Sequence, residues 1–403
     1  MEVLILGWYV LVETGSVHLL VLFAALQYFG SLLSPLFGVA GDRVGYRRLL
    51  YLTRALYALL AALIGTLAAL HLLTPVHVLA IAAVAGLVRP SDMMLRNALI
   101  AQTIPPAQLL GALGLSRSTA DTARIAGALA GAGAVAAFGM VPAYVVVTLL
   151  YTASFLLSLG VAGRVAPVGV GIGAVQGQTV AAVPAATPAT DSVFVTAWRD
   201  LRSAFAYVWH KPPLLGALAL AFLVNFLAFP FVNGLLPYVA NNIYVIGQTG
   251  LGYLAASFAG GGLLGSILLV SNRLPLRAAR TAIAASAVWF IANFCFTQVT
   301  HLGTGIVLLM CAGVAHNFCL TPIVAVMLRE SEPEYRGRVM GMRMLAIWGL
   351  PAGLLLAGPL ISRIGFAAAG ALYSVTGLVL VAAIALYWRA HLWRADAPGN
   401  ARA

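Results

Sequence analysis

The feature that most constrains this chain is the length of its apolar runs. Stretches rich in Leu, Ala, Val and Gly fall near 17–38, 49–71, 75–100, 108–138, 141–163, 213–241, 249–270, 279–299, 303–328, 338–362 and 366–388. A helix needs about 20 apolar residues to cross the hydrocarbon core of a bilayer. Within lipid every backbone N–H and C=O must be paired inside the chain, which leaves helices or a closed barrel. The runs lack the alternation in segments of about ten residues that marks a barrel strand. Only 8% of the chain is charged and 62% is hydrophobic, whereas soluble proteins carry about a quarter charged residues. The composition leaves no aqueous surface, and an all-α integral membrane protein in a lipid bilayer is predicted.

A further run, "EVLILGWYVLV" at 2–12, raises the count to twelve segments. It holds about half the apolar residues a span needs, so the first segment reads as truncated and the chain is expected to begin inside its first helix. The start lacks the basic region of a cleavable signal and runs on into the next span.

The net charge of +12 raises the question of nucleic acid, and its distribution answers it. Arg43, Arg47 and Arg48, Arg199, Arg202 and Lys211, Arg273, Arg277 and Arg280, Arg329, Arg336 and Arg338, and Arg389 and Arg394 fall in every second connection except the short one at 101–107. Of the alternate connections, one holds Arg363 and the rest hold no basic residue. That asymmetry places the basic loops and the C-terminus in the cytoplasm, of a bacterial inner membrane, and excludes a nucleic-acid partner. Cys295, Cys311 and Cys319 lie within apolar runs and read as small core residues. His71 and His77 flank a turn without completing a metal set, and no cofactor is implied. Lys211 is the sole lysine, so no Walker A lysine exists for ATP drive, and neither H-E-x-x-H nor G-x-S-x-G occurs; an enzyme is not expected.

Residues 164–193 are rich in Pro, Gly, Ala and Thr with almost no charge, the composition of a loose linker. "TAWRDLRSAFAYVWHK" follows, with Leu201, Phe205, Val208 and Trp209 on one face of a helix expected to lie on the membrane surface. Three regions are predicted: a six-segment bundle over 1–163, a linker with its interfacial helix over 164–212, and a second six-segment bundle with a short tail over 213–403. The halves echo each other at an offset of 226, which pairs Gly111 with Gly337, Gly127 with Gly353 and Gly139 with Gly365. Duplicated halves related by a pseudo-two-fold axis are a transporter architecture, with the substrate site near midplane between them.

One connection is denser in chemistry than the rest. "GVAGDRVGYRR" at 38–48 meets every defined position of G-x3-D-[RK]-x-G-x-[RK]-[RK], through Gly38, Asp42, Arg43, Gly45, Arg47 and Arg48. This resembles the signature between the second and third helices of the major facilitator superfamily. The resemblance, taken with the segment count, covers the chain apart from part of helix one. "PEYRGRVMG" before segment eleven resembles the efflux branch that includes macrolide and enterobactin exporters. The resemblance implies alternating access by two six-helix bundles, with Asp42 set against the N-terminus of segment eleven near Gly337. An anion is favoured at a helix N-terminus, so the contact would latch the halves in one state and release in the other. The second-half equivalent, "SNRLPLRAAR", keeps basic residues without an acid, so a single latch is legible.

Segments four and five carry charge at membrane depth: Arg89, Asp92 and Arg96 on one, Arg117, Asp121 and Arg124 on the other. Each trio falls on one helix face. The pairs 89 with 124, 92 with 121 and 96 with 117 each sum to 213, which gives equal depth in an antiparallel hairpin. An Arg or Asp facing lipid at the helix centre costs roughly 2.5–3.5 kcal/mol even on mild scales, so the six must face one another, the bundle interior or water. They read either as a buried ladder bracing the two helices or as the lining of a cavity with two spare positive charges, suited to an anionic or amphipathic small molecule. By resemblance, Arg89 corresponds to a fourth-helix arginine linked to proton coupling in related antiporters. His316 in segment ten titrates near neutrality and is the candidate for a coupling proton; Asn225 is a candidate cavity residue. The expected function is secondary active transport of a small molecule by a monomer, in the direction of proton-coupled efflux. An uptake symporter on the same scaffold and a non-transporting truncated remnant are the alternatives.

Overall fold

The computed structural model describes residues 2–32, 45–103, 106–160, 202–203, 205–270, 277–332 and 335–388. Among these residues there is no strand. The main helices follow in order. In the first half they are α1 (Glu2–Thr14), α2 (Val17–Leu26), α3 (Tyr46–Ala69), α4 (Pro75–Thr103), α5 (Pro106–Phe138) and α6 (Met140–Leu159). In the second they are α7 (Pro212–Ile243), α8 (Gly247–Val270), α9 (Ala278–Gln298), α10 (Leu302–Glu330), α11 (Arg336–Ala346 and, after a short turn, Gly349–Ile364) and α12 (Phe366–Tyr387).

Eight of these, α3 and α6–α12, are long and apolar enough to cross a membrane. Helix α4 runs for 29 residues and α5 for 33, each carrying its charged trio, and among the described residues Pro75–Arg89 and Thr122–Phe138 are their shorter apolar stretches. Helix α1 has 13 residues, which spans about 20 Å at 1.5 Å per residue. The expected linker falls largely outside the described residues; its end is helical over 202–203 and 205–209.

The repeat seen in sequence has a backbone counterpart. Gly139 (φ 81°) and Gly365 (φ 82°) each end one helix and start the next, and each donates its N–H to the carbonyl four residues back at 2.9 Å. Positive φ is a conformation that only glycine adopts without strain.

The buried apolar residues form two main cores. The larger is drawn from α7–α12 and takes in Val17, Val21 and Ala24 of α2. The smaller joins α1, α2, α3, α4 and α6 around Ile5, Phe23, Ile64, Ala82 and Tyr144. The halves meet chiefly along α5–α8 and α2–α11. A methyl group at Gly252 would lie 2.6 Å from Ala132 of α5, and one at Gly358 would lie 2.7 Å from Val21 of α2. Both glycines lie at tight contacts between the halves. Other glycines pack within the second half. Gly261 and Gly265 of α8 face Met310 and Val314 of α10, and Gly349 and Gly353 of α11 face Phe222 and Phe226 of α7, all within the second half.

Helix α7 is the least regular element. It contains π turns at Val224–Ala228 and Val239–Ile243, a feature common at functional sites. Pro230 has no N–H to offer the Phe226 carbonyl, and that carbonyl abuts Gly353 of α11. The Ala228 carbonyl instead accepts from Asn293 Nδ2 at 2.8 Å.

Candidate functional site

Between the halves lies a cavity of about 460 Å³, within the range of small-molecule sites. Its two walls differ in chemistry. The first half supplies Glu2, Gln27, Tyr28, Arg89, Arg124 and Tyr151. The second half supplies Phe229, Asn233, Phe258, His316 and Asn317, with Val232, Leu236 and Leu354 between them.

The charged wall is cross-braced. The Arg89 guanidinium lies 4.0 Å from the Glu2 carboxylate, and the Tyr151 hydroxyl donates to the same Glu2 oxygen at 2.9 Å. Tyr151 in turn stacks on Tyr57 of α3, centroids 5.5 Å apart. Helices α1, α3, α4 and α6 are thereby tied around one acid. Arg124 completes the wall from α5, so two guanidinium groups face one carboxylate among the described lining residues. Gln27 is 4% exposed, and its side-chain oxygen has no hydrogen-bond donor among the described residues. A buried acceptor of this kind offers a place for a donor on a ligand.

The opposite wall is aromatic. The His316 ring lies 5.2 Å from Phe229, 5.6 Å from Phe258 and 5.1 Å from Trp289, edge-on to Phe229 and Trp289. Asn317 donates to the Gly262 carbonyl and Asn233 to the Tyr28 hydroxyl, the latter bond joining the two halves across the cavity.

The residues singled out in sequence are distributed unevenly over this geometry. Arg89, Arg124 and His316 line the cavity. Among the described residues Asp92 pairs with α3. Its carboxylate meets Arg54 of α3 at 2.6 Å, with both side chains about one-fifth exposed. Arg96 lies a turn further along α4, partly buried. The side chains of Arg117 and Asp121 lie outside the described residues. Asn225 is not a lining residue: it is buried, and its amide donates to the Ala221 carbonyl of its own helix at 2.8 Å, beside the first π turn. Of the signature, Gly38, Asp42 and Arg43 lie outside the described residues. Gly45 sits at φ 95° and starts α3. Arg47 donates to the Leu159 carbonyl at the end of α6 at 2.5 Å, where a cation also complements the helix dipole. Arg48 is exposed.

Sequence reasoning passed over Glu2, Arg54, Tyr28 and Tyr151. Arg54 had a signal, an isolated charge inside the apolar run 49–71. Glu2 had a weaker one, an acid opening an apolar run.

The geometry defines a helical membrane protein with a central, two-walled cavity. Residues 3–350 match the Major Facilitator Superfamily, and the chain belongs to that family. No curated protein sequence matches it. Among solved structures, the human organic anion transporter MFSD10 (TETRAN) is similar at TM-score 0.62 and 17% identity, over 91% of this chain and 83% of that one. A POT family transporter in complex with 5-aminolevulinic acid is similar at TM-score 0.67 and 11% identity, over 93% and 88%. The nucleoside transporter NupG is similar at TM-score 0.63 and 15% identity, over 95% and 94%. At these identities the likeness is one of fold. Family and fold together make this a multi-pass membrane protein of transport.

Proposed function

We propose that the chain is a secondary active transporter that binds a small amphipathic anion in the central cavity and exports it by alternating access in exchange for protons. The observation that carries this reading is the opposition of the two walls. Arg89 and Arg124 on one side favour a carboxylate, sulfonate or phosphate. Phe229, Phe258 and the His316 ring on the other favour a flat apolar body. In this reading twelve segments span a bacterial inner membrane as two six-helix bundles, the basic connections face the cytoplasm, and the protein works as a monomer. His316 and Glu2 are the titratable groups through which a proton would enter the cycle. Asp42 serves as the latch against α11.

Alkylation of a cysteine placed in the cavity tests the binding half of the proposal. Asn317→Cys, in a background with Cys295, Cys311 and Cys319 replaced by Ser, should react with a small maleimide. Aromatic carboxylates should slow that reaction, and their uncharged amides should not. Equal protection by acid and amide would remove the anion from the reading. The latch has its own test: Asp42→Asn should leave the protein in the membrane and abolish most transport, and a mutant working at the wild-type rate would dismiss it.

A further inference from the structure

The connection that leads into α7 carries a surface outside the central cavity. Residues 202–203 and 205–209 are helical, and the two faces of this segment differ. Val208 is 1% exposed, whereas Phe205 and Trp209 are 54% and 60% exposed and stack on each other with centroids 5.6 Å apart. Sequence reasoning set Val208 beside Phe205 and Trp209; the fold separates them, with Val208 turned into the core. Positions 202, 205 and 209 follow the i, i+3, i+7 spacing of one helix face, so Arg202, which is exposed, shares the outward stripe with the two aromatic rings.

The inward face is bolted to the α10–α11 connection. The Tyr207 and Tyr335 rings stack at 4.0 Å and within 2° of parallel. Lys211 Nζ donates to Glu332 at 2.6 Å and to the Tyr207 hydroxyl at 2.7 Å, and that hydroxyl accepts from the Glu332 backbone N–H at 3.0 Å. Arg338 lies over the Tyr335 ring, 5.6 Å from its centroid. Depth follows from the spans. Lys211 directly precedes the span that begins at Pro212, and Glu332 follows closely the one that ends at Glu330. The bolt therefore lies at the membrane boundary, and Phe205 and Trp209 project from it at that level.

We infer that this stripe is a seat for the headgroups of anionic phospholipids. The aromatic pair enters the interfacial zone, where such rings are favoured. Arg202 and Arg338 meet the lipid phosphates, and basic residues beside a membrane surface draw anionic lipids. Of the acids described at this boundary, Glu332 is engaged by Lys211, and Glu330 by Arg329 at 3.5 Å. Lipid held here is joined through the Tyr207–Tyr335 stack to the start of α11.

Thermal unfolding of the purified full chain in detergent, with POPG or POPC added, tests the seat without reference to any transported compound. The unfolding midpoint should rise more with POPG than with POPC. The excess should be lost in Arg202→Gln/Arg338→Gln and retained in Arg48→Gln, a charge removed from the other half. Equal protection by the two lipids, or an intact POPG excess in the double variant, would overturn the inference. A midpoint that followed protein concentration and ignored POPG would assign the face to a second copy of the chain instead. If the double variant does not fold, brominated lipids decide. The quenching lost on Trp209→Phe should be greater with brominated POPG than with brominated POPC, and equal losses would refute a preference for anionic headgroups.

Discussion

Arg54 and Asp92 show how a membrane interior treats charge. An arginine within the apolar run of α3 and the aspartate of α4 are each expensive in lipid, and the fold closes them on each other at 2.6 Å. Removing one partner strands the other. With side chains 18% and 22% exposed, the loss falls between that of an exposed and a fully buried pair, roughly 1–3 kcal/mol. Arg54→Gln and Asp92→Asn should each lower the unfolding midpoint, and the double variant should cost less than the two losses added. Strict additivity would mean that the pair contributes nothing beyond its separate parts. His316 sets a second prediction at this scale. Its ring is framed by Phe229, Phe258 and Trp289 and borders the cavity, so His316→Gln should flatten the dependence of transport on external pH. Asp121→Asn should harm folding or affinity more than it changes that profile. A flattened profile in Asp121→Asn with normal expression and affinity would move the proton role to α5.

Elements were more legible than the contacts between them. Apolar runs marked the eight helices long enough to cross a membrane, because length and hydropathy are local properties. The charge trios of α4 and α5 were legible as anomalies, but their partners were not, since pairing depends on which helices the fold brings together. Asp92 met α3, and Arg89 met Glu2 of α1. Asn225 was misplaced for a related reason. Its type suits a cavity, but its amide is consumed by the irregular stretch of α7, and irregularity follows from packing as much as from Pro230. The glycine repeat at offset 226 did carry through to backbone geometry. Gly139→Ala and Gly365→Ala force a side chain into φ 81° and 82° and should each cost about 1–2 kcal/mol, read as matched drops in unfolding midpoint. A loss at one position alone would break the equivalence of the two turns. The bolt on the linker adds a pH dependence. Its hydrogen bond to Lys211 holds the Glu332 carboxyl below the ordinary carboxylate range. Partial burial pulls the Lys211 ammonium down, but its bonds to Glu332 and Tyr207 outweigh that and leave it above its ordinary value. A lowered acid contributes stability that is present above its unfolded value and lost as pH falls through the lowered one. A raised base contributes stability that is present below its unfolded value and lost as pH rises through the raised one. Tyr207–Tyr335 docking, followed by a label at either end, should therefore hold between those limits. Glu332→Gln should remove the acid-side loss, and an unchanged acid limb would place it on another group.

At the scale of the whole molecule, the two halves touch through α5–α8 and α2–α11, with Gly252 and Gly358 at tight contacts between them, and they enclose a cavity with one charged wall and one aromatic wall. The central claim is that this cavity is the route of an amphipathic anion. Counterflow in proteoliposomes tests it most directly: labelled aromatic carboxylates on one side, unlabelled on the other, compared for wild type and Arg124→Gln. The account predicts exchange in the wild type, acceleration by an opposing proton gradient, and loss of most of that exchange in Arg124→Gln without loss of folded protein. Undiminished exchange of the anion by well-folded Arg124→Gln would contradict it.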